Sequence, residues 1–312
     1  MSGISVSEIK EKVPWAFEKN QSMIIGDDID AIMSACFLHH FLNWNIKGFY
    51  VGYHKLFIES VFDRWEDSIF VDLDISQNKI KSIGHHILQI NKYDKLEDIG
   101  HQNSLNPNLL RNITMEKFGV KYPLGTIHFL MWLHNFNIEI ENNLQKILWV
   151  PDSAWINGQS HRFRENVYDW IGYFNLQKLE RHFEETDTKE FERIMEKIVY
   201  AEIKKAGFNK GYGQVSSRHL KLKGFQCQFD SPNMDANRIK NLIQIICNIF
   251  NWDAPNLPEE YNKMVGTRKS NDISVECYQK GLSQFIRDEN IFSYVIPNYN
   301  KINYTIFSES LE

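Results

Sequence analysis

Residues 22–31 read SMIIGDDIDA, a short apolar run that passes through a glycine into a cluster of acids. A brief apolar run of this kind is typical of a strand buried in a parallel sheet. The stretch that follows, AIMSACFLHHFLNW at 31–44, has the apolar spacing of a helix. A strand that leads through an acidic turn into a helix indicates the first unit of an α/β sheet, in which ligands bind at the carboxyl ends of the strands.

The same alternation continues along the chain. Further strands are predicted at 48–54, 69–73 and 147–150, and TIHFLMWLHNF at 126–136 predicts a buried helix. Polar residues stand directly after these strands. The pattern predicts an α/β fold with a doubly wound, mainly parallel sheet and a second, smaller α+β domain.

Three consecutive parts are predicted. Residues 1–170 hold the strands and acids described above and form the first domain. A charged helical linker spans 171–205, and the C-terminal domain, expected to bind substrate, spans 206–312.

Charge and cysteine content exclude several classes of protein. The 312 residues carry a formal charge of −5, which argues against binding to long nucleic acid but not against a small nucleotide. The four cysteines form no C-x-x-C pair, so we expect free thiols in a reducing cytoplasm. No apolar run is long enough for a membrane span, so no membrane association is expected.

Acidic and histidine side chains follow four of the predicted elements. Carboxylate oxygens and imidazole nitrogens together suit Mn²⁺ or a similar ion. Each element alone has a structural explanation as well, because Asp is common in turns and at helix N-caps. The candidates are Asp28 and Asp30, Asp72 and Asp74, His85 and His86, and Asp152.

Taken in order, these elements resemble the four motifs of the DHH phosphoesterase superfamily. IIGDDIDAIMSA (24–35) is similar to the first motif and IFVDLDI (69–75) to the second. SIGHHIL (82–88) resembles the D-H-H motif, and ILWVPDSAWIN (147–157) resembles the fourth. The resemblance spans about half of the chain.

The resemblance implies a role for each motif residue. Asp28 would bind a first Mn²⁺ ion, Asp30 a second, and Asp72 would bridge both, with Mg²⁺ or Co²⁺ as alternatives. His85 and Asp152 would complete the second ion's ligands. The catalytic residues would be Asp72 and His86, and His86 would face the substrate phosphate.

Two positions depart from the family pattern. Gly84 stands where the family has the Asp that steadies the neighbouring histidine, and Ile24 stands where many members have a metal-binding histidine. Asp27 or water is expected to fill the second vacancy. Asp74 has no role in the family pattern, and a position behind the metal ligands is expected for it.

The C-terminal half lacks the G-G-G-H loop that phosphodiesterase members carry. Arg218 and His219 are the substrate-binding candidates there, with Arg268 and Lys269 as a second pair. The resemblance implies hydrolysis of a short oligonucleotide or a dinucleotide-like signalling molecule by two-metal activation of water. It is compatible with a nanoRNase, with a CRISPR-associated role in antiviral defence, and with a homodimer.

Two alternative functions remain open. The first motif also resembles that of family II pyrophosphatases, so pyrophosphate or polyphosphate is an alternative substrate. Gly84 motivates the other alternative, a degenerate DHH domain that binds a nucleotide without cleaving it.

Overall fold

The structure is a computed structural model, and most of the chain is described in it. The described residues are 5–307 with the exception of 137, 139, 160–162, 209–215, 218–221, 224–225, 274–276 and 278–279. For residues 159, 216–217 and 222–223, only the backbone is described.

Strands are concentrated at the two ends of the chain. In chain order they are β1 (Ser22–Ile25), β2 (Asn45–Val51), β3 (Lys55–Glu59), β4 (Ile69–Val71), β5 (Lys81–Ile83), β6 (Ser104–Leu105), β7 (Ser216–Ser217), β8 (Leu222–Lys223), β9 (Tyr261–Val265), β10 (Thr267–Asp272), β11 (Ser293–Asn298) and β12 (Lys301–Ile306).

Helices occupy most of the middle of the chain. They are α1 (Val6–Lys12), α2 (Ile29–Leu42), α3 (Pro107–Leu110), α4 (Thr126–Leu133), α5 (Ala154–Gln159), α6 (Arg164–Tyr173), α7 (Gln177–Glu185), α8 (Thr188–Ile194), α9 (Tyr200–Lys205), α10 (Ala236–Phe250) and α11 (Leu282–Asp288). The 3₁₀ turns are Pro14–Phe17, Trp65–Asp67, Met115–Val120, Gln145–Trp149 and Pro151–Ser153, and one π turn is Met195–Val199.

The central sheet has seven strands in the order β6-β5-β4-β1-β2-β3-β9. The five strands from β6 to β2 run parallel, and β3 and β9 are antiparallel additions at one edge. The chain passes from β1 to β2 on one side and later to β4 on the other side of β1. Such a reversal of strand order opens a crevice at the carboxyl ends of β1 and β4, which is where ligands bind in α/β sheets.

The fold class predicted from the sequence is confirmed at the level of an α/β protein. Strands predicted at 22–26, 48–54 and 69–73 are present as β1, β2 and β4, and the helix predicted at 126–136 is α4. A smaller antiparallel sheet, in the order β10-β12-β11, accompanies the central one.

The prediction of a strand at 147–150 is wrong, because Gln145–Trp149 forms a 3₁₀ turn. A short run of apolar residues indicates burial but shows no hydrophobic periodicity. Such a run therefore fits a buried turn as well as a buried strand. The second 3₁₀ turn, Pro151–Ser153, follows directly. Asp152 therefore sits in a strained turn rather than at a strand end.

The chain divides into two compact units, each built from separated stretches. Unit 1 comprises Met1–Gly26, Trp44–Lys121 and Asn256–Glu312, and unit 2 comprises Asp27–Asn43 and Tyr122–Pro255. The domain boundaries predicted from the sequence, 1–170, 171–205 and 206–312, stay a prediction.

Unit 1 contains the central sheet, and its core packs large apolar side chains against β1 to β4. Phe70 is fully buried, and burial of a side chain of this size contributes roughly 1.5–3 kcal/mol. The strand β9, although more than 190 residues after β3, pairs with it in register from Lys55↔Val265 to Glu59↔Tyr261. The C-terminal segment thus completes the edge of the sheet.

Unit 2 is mainly helical. Helix α2 packs against α4 and α10, and residues 29–38 of α2 are all buried. Among the described residues, no helix combines the length and apolar character needed to span a membrane.

Candidate metal centre

Asp72 and His85 follow two neighbouring strands of unit 1. Because β4 and β5 pair in parallel, their carboxyl ends meet at the same edge of the sheet. His85 Nδ1 lies 3.2 Å from Asp72 Oδ1, and the two side chains are only 10% and 7% exposed. Asp72 has a φ of 62°, in the left-handed region that Asp adopts more readily than most residues. Strained backbone of this kind clusters at functional sites.

Asp74 holds the next histidine in place. Asp74 Oδ2 accepts hydrogen bonds from the backbone N–H of His86 at 3.1 Å and from His86 Nδ1 at 2.9 Å. The Asp74 side chain is fully buried, whereas 24% of the His86 side chain is exposed. A carboxylate only accepts, so Nδ1 carries a proton and the neutral ring leaves Nε2 as the acceptor.

Asn106 and Asn108 hold the backbone of the two histidines from behind. Asn106 Nδ2 donates to Asp74 Oδ1 at 3.0 Å and to the His86 carbonyl at 2.9 Å. Asn108 Nδ2 donates to the His85 carbonyl at 2.7 Å. Both amides are fully buried. Sequence reasoning missed them, and the only signal was the polar N-P-N stretch.

The absence of a side chain at Gly84 leaves room for the Asp74 carboxylate. A Cβ atom at position 84 would lie 2.3 Å from Asp74 Oδ1 and 2.5 Å from Asp74 Cγ. Contacts this short do not occur between a Cβ and a neighbour that cannot move. The Asp74 carboxylate therefore occupies the volume that a side chain on residue 84 would need.

Electrostatics keep the Asp74–His86 pair in one protonation state. Burial alone would raise the pKa of Asp74, but the hydrogen bond and charge of His86, together with His101 and His85, hold it below its usual value. Burial, followed by the charge of His85, lowers the pKa of His86. An ionised Asp74 and a neutral His86 are the result near neutral pH.

Behind this pair, His101 makes stability depend on pH. Its ring is fully buried, Nδ1 pairs with Ser104 Oγ at 2.8 Å, and burial lowers its pKa to about 4. An unfolded histidine titrates near pH 6.5, so between those values the unfolded chain binds a proton that the folded chain does not. The contribution of His101 to the free energy of unfolding is therefore fully present above pH 6.5. We expect the free energy of unfolding to fall by about 3 kcal/mol as the pH is lowered from 6.5 to 4.

Denaturant unfolding at pH 7.5, 6 and 5 measures this effect. His134 and His182, whose pKa values burial also lowers to about 4, add to the slope of the wild-type protein. His101→Gln should therefore flatten the dependence of unfolding free energy on pH without abolishing it. Equal slopes for the two proteins would contradict the prediction.

In unit 2, Asp30 is anchored by the first turn of α4. Asp30 Oδ2 accepts from the backbone N–H of Thr126 at 2.6 Å, and Oδ1 accepts from that of Ile127 at 3.0 Å. The N-terminus of a helix favours a carboxylate in this position. A Cβ at Gly125 would lie 2.7 Å from Asp30 Oδ2, so a glycine is needed there. Neither contact has a sequence signal.

Asp152 and Ser153 both have positive φ, at 46° and 55°. Ser153 is buried, and its Oγ has no hydrogen-bond partner among the described residues. Burial raises the pKa of Tyr122 well above its usual value, and the nearby negative charges of Asp30 and Asp152 raise it further. It is therefore a neutral phenol, which donates to the Gly125 carbonyl at 2.9 Å. Sequence reasoning did not single out Tyr122.

The structure groups four of the sequence-predicted metal ligands. One ligand atom from each of Asp30, Asp72, His85 and Asp152 lies within 4.8 Å of the others, and all but Asp152 are buried. These are the four residues that the family resemblance assigns to a single ion. The cluster could bind a metal ion.

Its geometry and donor atoms fit a divalent cation. Bonds of about 2.1 Å that meet at right angles put two ligand atoms about 3 Å apart, close to the 3.2 Å between Asp72 and His85. Three carboxylates and one imidazole suit Mn²⁺ and similar ions better than ions that prefer sulfur.

Asp28 has a different position. Its Oδ1 caps α2 by accepting from the backbone N–H groups of Asp30 at 3.0 Å and Ala31 at 3.2 Å. It is not one of the four clustered residues. Its assignment to a first metal ion stays a prediction.

The substrate-binding candidates of the C-terminal half form two pairs. Arg218 and His219 lie outside the described residues. Of the second candidate pair, Lys269 forms an ion pair with Glu289 at 2.9 Å, whereas Arg268 contacts the tip of the β2–β3 hairpin.

Comparison with protein-family models, with curated proteins and with solved structures finds no match.

Proposed function

We propose that this chain is a Mn²⁺-dependent phosphodiesterase of the DHH type that hydrolyses short oligonucleotides or dinucleotide-like molecules to mononucleotides. The observation that carries the proposal is the clustering of Asp30, Asp72, His85 and Asp152. Residues from all four motif-like stretches contribute to that cluster, although they are separated by up to 122 positions. If the resemblance of the four short stretches arose by chance, there would be no reason for these four residues to lie close together.

A bound divalent ion would neutralise phosphate charge and lower the pKa of water, which is the chemistry that phosphodiester hydrolysis needs. The residues of this chain would orient the reactants around it. Each carboxylate oxygen of Asp30 accepts one backbone N–H group of α4, which fixes its orientation. The remaining lone pairs of these oxygens would be directed to the ion. The hydrogen bond to Asp74 leaves His86 Nε2 as an acceptor, able to take a proton from a water molecule or a substrate hydroxyl.

The four clustered residues would supply the protein ligands of one ion. The second ion of the two-metal scheme would share Asp72 and rely on Asp28, which is engaged in capping α2. We infer that phosphate oxygens of the substrate would have to supply the remaining ligands of such a second ion.

The contact between Asp74 and His86 favours an enzyme over a protein that only binds. Loss of the family Asp at Gly84 suggested a degenerate site. The fully buried Asp74 carboxylate, however, supplies the histidine with a hydrogen-bond acceptor from another strand end. Pyrophosphate and polyphosphate remain the alternative substrates.

Incubation of the purified protein with Mn²⁺ and a panel of substrates tests the function. The panel contains a linear dinucleotide, a cyclic dinucleotide, short RNA and DNA oligomers, and pyrophosphate, with products separated by chromatography and weighed by mass spectrometry. We expect mononucleotides from the dinucleotides or oligomers, no orthophosphate from pyrophosphate, and no product when EDTA replaces Mn²⁺. Orthophosphate from pyrophosphate alone would favour the alternative, and an intact panel would refute the proposal.

A further inference from the structure

The tip of the β2–β3 hairpin is strained around a tyrosine. Gly52 and Tyr53 both have a φ of 58°, a conformation that is ordinary for glycine but rare for an aromatic residue. The Tyr53 carbonyl accepts hydrogen bonds from the hydroxyls of Tyr50, at 2.9 Å, and Thr305. These two hydrogen bonds hold the backbone of Tyr53 at the tip of the hairpin.

Arg268 and His86 border this ring. The Arg268 guanidinium carbon lies 5.5 Å from the Tyr53 ring centre, and Arg268 Nη1 donates to the Gly52 carbonyl at 3.3 Å. The Tyr53 ring meets the His86 ring edge to face, with 6.3 Å between their centres. The Tyr53 ring thus contacts both a cation and His86, which follows His85 of the acidic cluster in the sequence.

Arg268 and its neighbour Lys269 differ in their ionic partners. Within the described part of the chain, Arg268 forms no ion pair, whereas the next residue, Lys269, pairs with Glu289 at 2.9 Å. Successive residues of a strand point to opposite faces, so the two basic side chains of β10 have different surroundings. Gly52 accepts from one of the five N–H groups of Arg268, and among the described residues no other acceptor bonds to this guanidinium.

We propose that Tyr53 and Arg268 form a nucleoside-phosphate subsite beside His86. Nucleobases stack on tyrosine rings and on guanidinium planes, and guanidinium N–H groups pair with phosphate oxygens. The subsite takes the nucleotide that adjoins the scissile phosphate, and in that respect it rests on the proposed function. It makes the substrate a nucleotide rather than pyrophosphate, which has no ring to stack.

Calorimetric titration of the Mn²⁺-loaded protein with AMP and with ribose 5-phosphate tests the subsite without requiring turnover. The two compounds share a phosphate and a ribose and differ only in the base. We expect the wild type to bind AMP about 10-fold more tightly, as one stacked base allows. Tyr53→Ala should remove this preference, and Tyr53→Phe should retain it.

Arg268→Gln should lower the affinity for both compounds about 10-fold, because it removes a charge-assisted contact to phosphate. Arg64→Gln is the matched control and should bind both compounds as the wild type does, because Arg64 pairs with Asp67 and is not part of the subsite. Wild-type affinities in Tyr53→Ala and Arg268→Gln would overturn the subsite, as would absence of a preference for AMP in the wild type. Intact dinucleotides despite Tyr53-dependent binding of AMP would refute the phosphodiesterase and leave the subsite standing.

Discussion

Replacement of Asp72 by Asn is expected to abolish the proposed hydrolysis and the stabilisation that we expect from Mn²⁺. Asp72 belongs to the four-residue cluster and has a φ of 62°. Asn keeps the shape of the side chain and tolerates the left-handed conformation, but it removes one of three negative charges. Loss of a metal ion that lowers the activation barrier by several kcal/mol corresponds to a fall in turnover of about a thousand-fold or more.

Thermal unfolding with and without Mn²⁺ provides the second measurement. An ion present at 100 times its dissociation constant stabilises the wild type by about 2.7 kcal/mol, and Asp72→Asn should lose this gain while remaining folded. Asp235→Asn is the control, because Asp235 is equally buried at 7% exposure but lies outside the cluster. A wild-type response to Mn²⁺ in Asp72→Asn, or undiminished turnover, would show that the cluster is not the metal centre.

Replacement of Gly84 by Ala is expected to damage both stability and turnover. The new Cβ would lie 2.3 Å from Asp74 Oδ1, and Asp74 cannot move aside without breaking its bonds to His86 and Asn106. Overpacking of this kind costs roughly 1–3 kcal/mol of unfolding free energy. Displacement of a residue that orients a site residue lowers activity by about 10- to 100-fold.

Gly172→Ala is the matched control. Nothing lies within 4 Å of a Cβ at that position, which is inside helix α6, so this variant should gain roughly 0.5–1 kcal/mol. A second test exchanges the two residues. A carboxylate on residue 84 would reach the volume that Asp74 fills, so Gly84→Asp combined with Asp74→Gly should recover part of the turnover that Asp74→Gly loses. Wild-type stability and turnover in Gly84→Ala would contradict the close packing seen here.

Local sequence was sufficient for strands β1, β2 and β4 of the parallel sheet, but it did not predict β5 and β6. The apolar runs at β1 and β4, each followed directly by acids, predicted both strands and located Asp30 and Asp72. The run at 147–150 was assigned wrongly for a physical reason. An apolar run that is buried on all sides carries no period, and the chain there forms a 3₁₀ turn that leads into the strained backbone of Asp152.

The partners of the site residues could not be predicted in the same way. Asn106 acts through the carbonyl of His86 and the carboxylate of Asp74, 32 residues earlier. Gly125 matters because its missing side chain leaves room for Asp30, 95 residues earlier. Close approaches of this kind depend on how distant segments pack, and neither leaves a pattern in neighbouring residues. For Asp28, the sequence left cap and ligand equally plausible, and the structure shows the cap.

The sequence by itself therefore determined the α/β class, the strands that carry the first two acidic motifs, and the residue types available at the ends of those strands. These features follow from hydrophobic periodicity and turn chemistry, which act over a few residues. Only the tertiary structure decided that Asp30, Asp72, His85 and Asp152 converge, and that Asp74 occupies the space in front of Gly84. Convergence of residues more than a hundred positions apart is decided by strand order and core packing, because no local propensity couples them.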